Sequence, residues 1–316
     1  MFILNQGTDK IFKTLDEQVE ILREKGLVIN DEKYAKEVLF RENYFFLHGY
    51  RYPFLRSKDN RVYLKGTTFE ELYSLFLFDR QLRNIIFKNI LIIENNIKSI
   101  FSYQLSKKYG YKEKDYLNLK NFNTTKEKRK QVNDLVAKMK RQMKKNIATH
   151  SATMHYLDNY GYIPLWILVK VLSFGILSEF YNILKSEDAL EIADLYHLSI
   201  EEMSAYLSIL ANFRNLCAHE DILYDHRTQK EIPDTRYHHY LHIDMTDDHY
   251  NYGKNDLFAV IIIMKQMLSN DEFNDFLFQI GYEIDILDSS IKSVPPSLIL
   301  NKIGFPDNWR QISEID

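Results

Sequence analysis

The 316-residue chain holds one cysteine, six prolines and ten glycines. A single cysteine excludes an internal disulfide. Scarce breakers, and the lack of short alternating segments, argue against a turn-rich β-sandwich or barrel and for helices. The longest apolar run, Leu257 to Met264, is too short to cross a bilayer. The stretch from Met1 to Lys10 lacks a basic start followed by an apolar region, so it does not read as a signal peptide. A cytoplasmic protein with no membrane partner is expected. Walker loops, dinucleotide fingerprints, nucleophile elbows and paired zinc-ligand spacings are also missing, so no cofactor is expected. A net charge of −3 excludes attraction of the whole molecule to polyanions.

Aromatics are abundant instead: 22 tyrosines and 20 phenylalanines in a chain that is 45% hydrophobic, as in ordinary globular proteins. Thr14-x-x-Glu17 is a capping box that opens a helix, and Gly26 closes it. Asp31 starts a second helix, running to about Glu42. Residues 51–66 read as irregular, with a short hairpin around Asp59-Asn60. Thr68-x-x-Glu71 opens a very long helical pattern ending near Gly110. Further helices are expected over 125–148, from Pro164 to about Leu184, from about 200 past 215, over Asp256–Leu268, and briefly after Pro295-Pro296.

Charge is unevenly spread. Lys126 to Lys145 holds nine Lys or Arg against two acids, while Asp271 to Asp288 holds six acids and no Lys or Arg. A basic helix can bind nucleic acid within a slightly acidic chain, and Lys138, Lys140, Arg141, Lys144 and Lys145 are its RNA-binding candidates. It carries no aromatic residue, so base stacking is not its contribution. The alternative is a solvated face. Asp79 and Arg83, four apart on the long helix, read as an exposed ion pair. The histidines at 226, 238, 239, 242 and 249 invite a metal reading, but 237–252 looks like loop, and no metal is expected.

One segment concentrates chemistry: Phe213-Arg214-Asn215-Leu216-Cys217-Ala218-His219-Glu220. Ser199-x-x-Glu202 caps the helix that carries it. Tyr206, Ile209, Leu210, Phe213, Leu216 and Cys217 fall on one apolar face. Ser208, Asn212, Asn215 and His219 form a polar stripe beside it. Arginine stabilises phosphate charge and histidine moves protons near neutral pH, which together suggest phosphodiester chemistry. Arg214 projects about 140° away from His219 on a straight helix. Either the arginine curls round, or the helix distorts, or a second subunit completes the site. Arg41 and His48 form a similar pair, but the bulky residues between them read as packing and a turn.

Arg214-Asn215-x-x-x-His219 resembles the signature of the HEPN superfamily of helical ribonucleases. Other segments resemble the Abi family of bacterial abortive-infection proteins, the AbiD/AbiF-like group. They are Asn43 to Tyr50; Phe69, Leu72 and Tyr73; Phe78 to Arg83 with Glu94; His155-Tyr156; Pro164 to Trp166; Ser173 to Ser178; and Gly304 to Trp309. Lys170 departs from the acidic residue expected there. The resemblance implies an all-α fold: a HEPN-like helical bundle at 67–270, an N-terminal helical and irregular extension at 1–66, and a C-terminal helical tail at 271–316 packed on the same body. It implies an antiviral, toxin-like endoribonuclease that needs no metal. Arg214, His219 and Asn215 are the expected catalytic residues, and Asn212 orients the histidine or binds the RNA phosphate. The expected products are a 2′,3′-cyclic phosphate and a 5′-hydroxyl. The expected partners are substrate RNA, a regulatory antitoxin RNA and a second copy in a homodimer. A HEPN-like module that binds RNA without cutting it, and a toxin acting through protein contacts, remain open.

Overall fold

The computed structural model describes residues 11–57, 61–147 and 149–315, and of Phe46 the backbone alone. The described residues form an all-α fold with two small antiparallel hairpins. They fall into two compact units. One holds the described residues of Met1–Gln81 with Tyr282–Ile299, and the other holds Leu82–Gly281 with Leu300–Asp316 as far as described.

In the first unit, α1 (Leu15–Glu24) starts at the expected capping box, with Glu17 N–H donating to Thr14 Oγ1 at 3.3 Å and Thr14 N–H to Glu17 Oε2 at 2.8 Å. Gly26 closes it with φ +87°, a left-handed turn that glycine makes without steric cost. Asp31 caps α2 (Glu32–Glu42), and α3 (Tyr44–Gly49) follows. Arg41 is exposed, while His48 stacks on Tyr44 at 5.2 Å, consistent with packing at a turn. Strand β1 (Leu55–Ser57) pairs with β2 (Val62–Tyr63), forming the expected hairpin; its anticipated tip at Asp59-Asn60 lies outside the described residues.

Helix α4 (Phe69–Tyr109) opens on the Thr68/Glu71 capping box and stops before Gly110, whose φ is +89°. The expectation that Asp79 and Arg83 are exposed is corrected: both residues are buried. Leu72, Leu75, Phe76, Phe78, Leu82, Ile85 and Ile86 on the same helix are buried too, so a charge there must be paired. Asp79 accepts from Tyr50 Oη at 2.7 Å, and Arg80 grips Glu42 at 2.6 Å. Glu71 Oε1 accepts the backbone N–H groups of Lys292 and Ser293, each at 2.6 Å, tying 282–299 into this unit.

The second unit contains α5 (Glu113–Tyr116), α6 (Arg129–Asn146), α7 (Ser151–Tyr160), α8 (Leu165–Val171), α9 (Phe174–Asn182), α10 (Ser186–Ala193) and α11 (Ile200–Ala218). It continues with α12 (Arg236–Tyr240), the hairpin β3 (Met245–Thr246) with β4 (His249–Tyr250), and α13 (Leu257–Met267). Like α4, α14 (Asn270–Ser290) and α15 (Pro296–Ile303) divide their residues between the units. Among the described residues no helix is long and apolar enough to cross a membrane.

The single helix expected from Pro164 to Leu184 is two, because Leu172 and Ser173 are extended and Ser173 Oγ caps α9 by accepting Ile176 N–H. The basic helix begins at Arg129, not 125, and α7 and α10 were not anticipated. The segment 237–252 is a short helix and a hairpin, not a plain loop.

Helix α11 is the centre of this unit: α9, α10 and α13 all pack on it. Tyr206, Leu207, Ile209, Leu210 and Phe213 are fully buried, each contributing about 1.5–3 kcal/mol by leaving water. The expected motif therefore sits on a firmly held scaffold. Cys217 is buried on the same apolar face, as expected of a packing residue.

Candidate active site

The capping box of α11 forms as the spacing predicts, with Glu202 N–H donating to Ser199 Oγ at 3.1 Å and Ser199 N–H to Glu202 Oε2 at 2.8 Å. The helix stays regular through Arg214 and Asn215 and ends at Ala218. His219 is its C-cap, at φ −98° and ψ 3°. Glu220 then turns left-handed at φ +57°. Glu220 N–H bonds Cys217 O at 3.4 Å and Asp221 N–H bonds Leu216 O at 3.2 Å, the two reverse bonds of a Schellman cap. That position usually holds glycine, and a glutamate there carries strain of about 1–2 kcal/mol. From α4, buried Arg83 donates Nη1–H to Asp221 O at 3.3 Å. The turn after the histidine is thus held from both sides.

The polar stripe is at the surface. Ser208 is half-buried, while Asn212, Asn215 and His219 are exposed. Among the described residues, no hydrogen bond engages the Asn215 amide or the His219 ring. They contrast with Phe213, Leu216 and Cys217, which are all buried.

Arg214 leaves the stripe, as its angle on the helix requires. The arginine does not curl back and the helix does not distort. Its side chain crosses to α4, where Nε lies 3.6 Å from Glu94 Oε2 and the guanidinium sits 5.5 Å from the Phe87 ring centre. Glu94 is buried and also holds Lys98 at 2.7 Å. At 3.6 Å the Arg214–Glu94 contact is an ion pair rather than a hydrogen bond. No hydrogen bond or ion pair among the described residues joins Arg214 to Asn215 or His219. The arginine is therefore braced by a buried carboxylate while the histidine stands in solvent.

The stripe gains His226, which the sequence offers only as a metal-ligand candidate. His226 Nε2 lies 2.6 Å from Asn212 Oδ1, which places the ring proton on Nε2, and its ring packs edge-on against Phe213 at 5.1 Å. Burial, then the neighbouring Arg227 charge, holds the His226 pKa below its ordinary value, with Asp221 opposing. His226 is therefore neutral at pH 7, the form that can accept a proton. Only adjacency in space reveals it: fourteen residues of chain separate it from Asn212.

The other histidines do not gather. His238 is buried and completes a cap with Thr235, its ring 4.8 Å from Tyr250 and its Nε2 3.0 Å from Gly253 O. His249 pairs with Glu231 at 2.9 Å. Among the described residues no group of three or more His, Cys, Asp or Glu is placed to hold a metal ion.

On α6, Val132, Leu135, Val136 and Met139 are buried, and this helix packs on α8 and α9. Lys138 is bound to Glu179 at 2.8 Å. It lines an open groove of about 540 Å³ with Glu127, Lys130, Asp134 and Arg141, where acids and bases balance. Lys140, Arg141, Lys144 and Lys145 are exposed along the C-terminal half of the helix. Lys140–Lys144 and Arg141–Lys145 are like-charge neighbours one turn apart, a local repulsion that a bound anion relieves.

The family model of the Abi-like proteins matches residues 37–225, more than half of the chain. The chain belongs to the Abi-like protein family. The matched span holds all of α11 and the Arg214–His219 motif and stops one residue short of His226. Membership points to abortive infection, the defence against phage. No curated protein and no solved structure matches the chain.

Proposed function

We propose that this Abi-like protein is an AbiD/AbiF-like, HEPN-type endoribonuclease that cuts RNA without a metal ion. The observation that carries the reading is the contrast at the end of α11. Among the described residues no hydrogen bond or ion pair holds the exposed Asn215 and His219 side chains, although the turn after His219 is anchored by Arg83 and strained at Glu220. Strain held in place by surrounding structure is a mark of functional sites.

In this mechanism the RNA 2′-oxygen attacks phosphorus. The new 2′-O–P bond forms, the P–O5′ bond breaks, and the products are a 2′,3′-cyclic phosphate and a 5′-hydroxyl. His219 takes the 2′-hydroxyl proton or supplies one to the leaving 5′-oxygen, worth typically 10²–10⁴-fold. Arg214, braced by Glu94 through Nε, offers its Nη groups to the phosphoryl oxygens. Asn215 and Asn212 orient histidine and phosphate, with Asn212 set by His226. The exposed cations of α6 neutralise neighbouring phosphates.

A single exposed histidine does not serve well as both acid and base. A homodimer juxtaposing two α11 stripes across a two-fold axis supplies the pair. Purified protein should cut single-stranded RNA in EDTA and leave cyclic phosphate ends, and a 2′-deoxy substitution at the scissile position should block cutting. Mixed Arg214→Ala and His219→Ala subunits should regain part of the activity that each lacks alone. Cutting of the 2′-deoxy substrate overturns the mechanism. RNA binding without any cutting assigns the protein instead as a non-cleaving HEPN-like module.

A further inference from the structure

Within the second unit, the surface formed by α7, α8 and the segment around Tyr111 carries a cluster of aromatic rings with no role in the site above. Tyr111, Tyr160 and Trp166 are 44%, 57% and 39% exposed, although rings of this size are ordinarily covered. Tyr111 lies 5.5 Å from Tyr162 and 6.1 Å from Trp166. Tyr156 lies 5.4 Å from Tyr160, and Tyr160 is 6.2 Å from Tyr162. Trp166 Nε1 donates to Tyr156 Oη at 3.3 Å. The rings thus brace one another while leaving faces open to water.

The charges nearby favour an anionic occupant. Lys112 sits over the Tyr162 ring at 5.0 Å and the Tyr111 ring at 6.0 Å. Lys170 is exposed one turn beyond Trp166 on α8. Glu113 is turned inward, its carboxylate accepting the Ile163 backbone N–H. Asp158 is the exposed acid of α7. Both α6 and α7 pack on α8. A helix without aromatics, whose Lys140, Arg141, Lys144 and Lys145 have no ion-pair partner among the described residues, therefore shares a neighbour with an aromatic surface. Single-stranded nucleic acid is bound by that combination: cations tracking phosphates, and exposed rings on which unpaired bases stack.

We propose that the cluster of Tyr111, Tyr156, Tyr160, Tyr162 and Trp166, with Lys112, is a base-stacking surface for single-stranded RNA. It lies outside the Arg214–His219 motif and holds RNA whether or not that motif cuts it.

Tryptophan fluorescence reads the contact directly. The chain has two tryptophans, Trp166 at the surface and Trp309 buried at 4% exposure. The full chain carrying His219→Ala, so that nothing is cut, is titrated with a single-stranded oligouridine. The emission should be quenched to saturation, with half-saturation moving to higher RNA concentration as salt rises. Trp166→Phe should keep affinity within about threefold while removing the quench, because a ring remains for stacking. Tyr160→Ala and Tyr111→Ala should each weaken binding on the order of tenfold, with unchanged circular dichroism. Duplex RNA should quench weakly, its bases being already stacked. A DNA oligomer binding equally assigns the bases as what is recognised, and a weaker one adds the 2′-hydroxyl. Absence of quenching, or alanine variants that bind RNA like the parent, overturns the proposal. So does loss of self-association in those variants with RNA binding intact, which would make the cluster a protein interface.

Discussion

Replacing Arg214 by alanine perturbs the fold as well as the chemistry, and the structure sets the size of the first effect. The Arg214 side chain is 30% exposed and its partner Glu94 only 7%. Removing one member of a fully buried pair costs about 3–5 kcal/mol, because the other charge is stranded. Glu94 is not stranded here, since Lys98 remains at 2.7 Å, and the 3.6 Å contact to Arg214 is not a hydrogen bond. The electrostatic loss is therefore about 1 kcal/mol. The guanidinium over Phe87 adds about 0.5–1 kcal/mol. A total of about 1.5–2 kcal/mol lowers the melting temperature by roughly 3–8 °C in a unit of this size. Glu94→Gln in the same background takes the carboxylate from Lys98, whose side chain is 13% exposed, and should lower the melt further. His219→Ala, at an exposed ring with no partner among the described residues, should melt like the parent. The assay is a thermal melt of the three variants beside the parent. If Arg214→Ala melts like the parent, Glu94 does not brace it. If the double variant melts above Arg214→Ala, Lys98 does not compensate the Glu94 carboxylate.

Glu220→Gly relieves a left-handed glutamate, gaining about 1–2 kcal/mol, but loosens the unfolded chain by about 0.4–1 kcal/mol, so the net should be a small stabilisation; a lower melting temperature contradicts the strain argument. Burial holds His226 and His238 below their ordinary pKa, so the unfolded chain takes up protons that the fold refuses, and stability should fall as pH drops below about 6.5. Buried Asp256, pushed up to about 6 against Arg227 and backbone N–H groups, acts oppositely by binding its proton first in the fold. Asp256→Asn should therefore steepen the acid decline in a melt-versus-pH series, and a shallower decline contradicts that sign. Reversing Lys140, Arg141, Lys144 and Lys145 to glutamate should weaken RNA binding and flatten its dependence on salt, read by titration at several salt concentrations, whereas Lys138→Ala should change it little because Glu179 already occupies that charge.

What was legible in the chain follows locality. Thr14/Glu17, Thr68/Glu71 and Ser199/Glu202 each write a helix start into four consecutive residues, and all three caps form. The off-face position of Arg214 follows from helical geometry alone. The Ser173 cap was equally local but hidden inside an apolar stretch that reads as continuous helix. Other features depend on partners far along the chain. Asp79 looks solvent-exposed until Tyr50 and the surrounding core are in place. Glu94 as the brace of Arg214, Arg83 as the anchor of Asp221, and His226 against Asn212 pair residues 120, 138 and 14 positions apart, which no periodicity reports.

The central claim is that His219 is a proton-transfer group of an RNA-cutting site and has no structural task. The most direct measurement is cleavage of labelled single-stranded RNA in EDTA by purified parent and His219→Ala protein, matched for melting temperature and for RNA binding. The account predicts that the parent releases products ending in cyclic phosphate, while the variant binds as tightly and cuts at least a hundredfold more slowly, the low end of what a positioned acid or base supplies. A variant that cuts at the parent rate contradicts it.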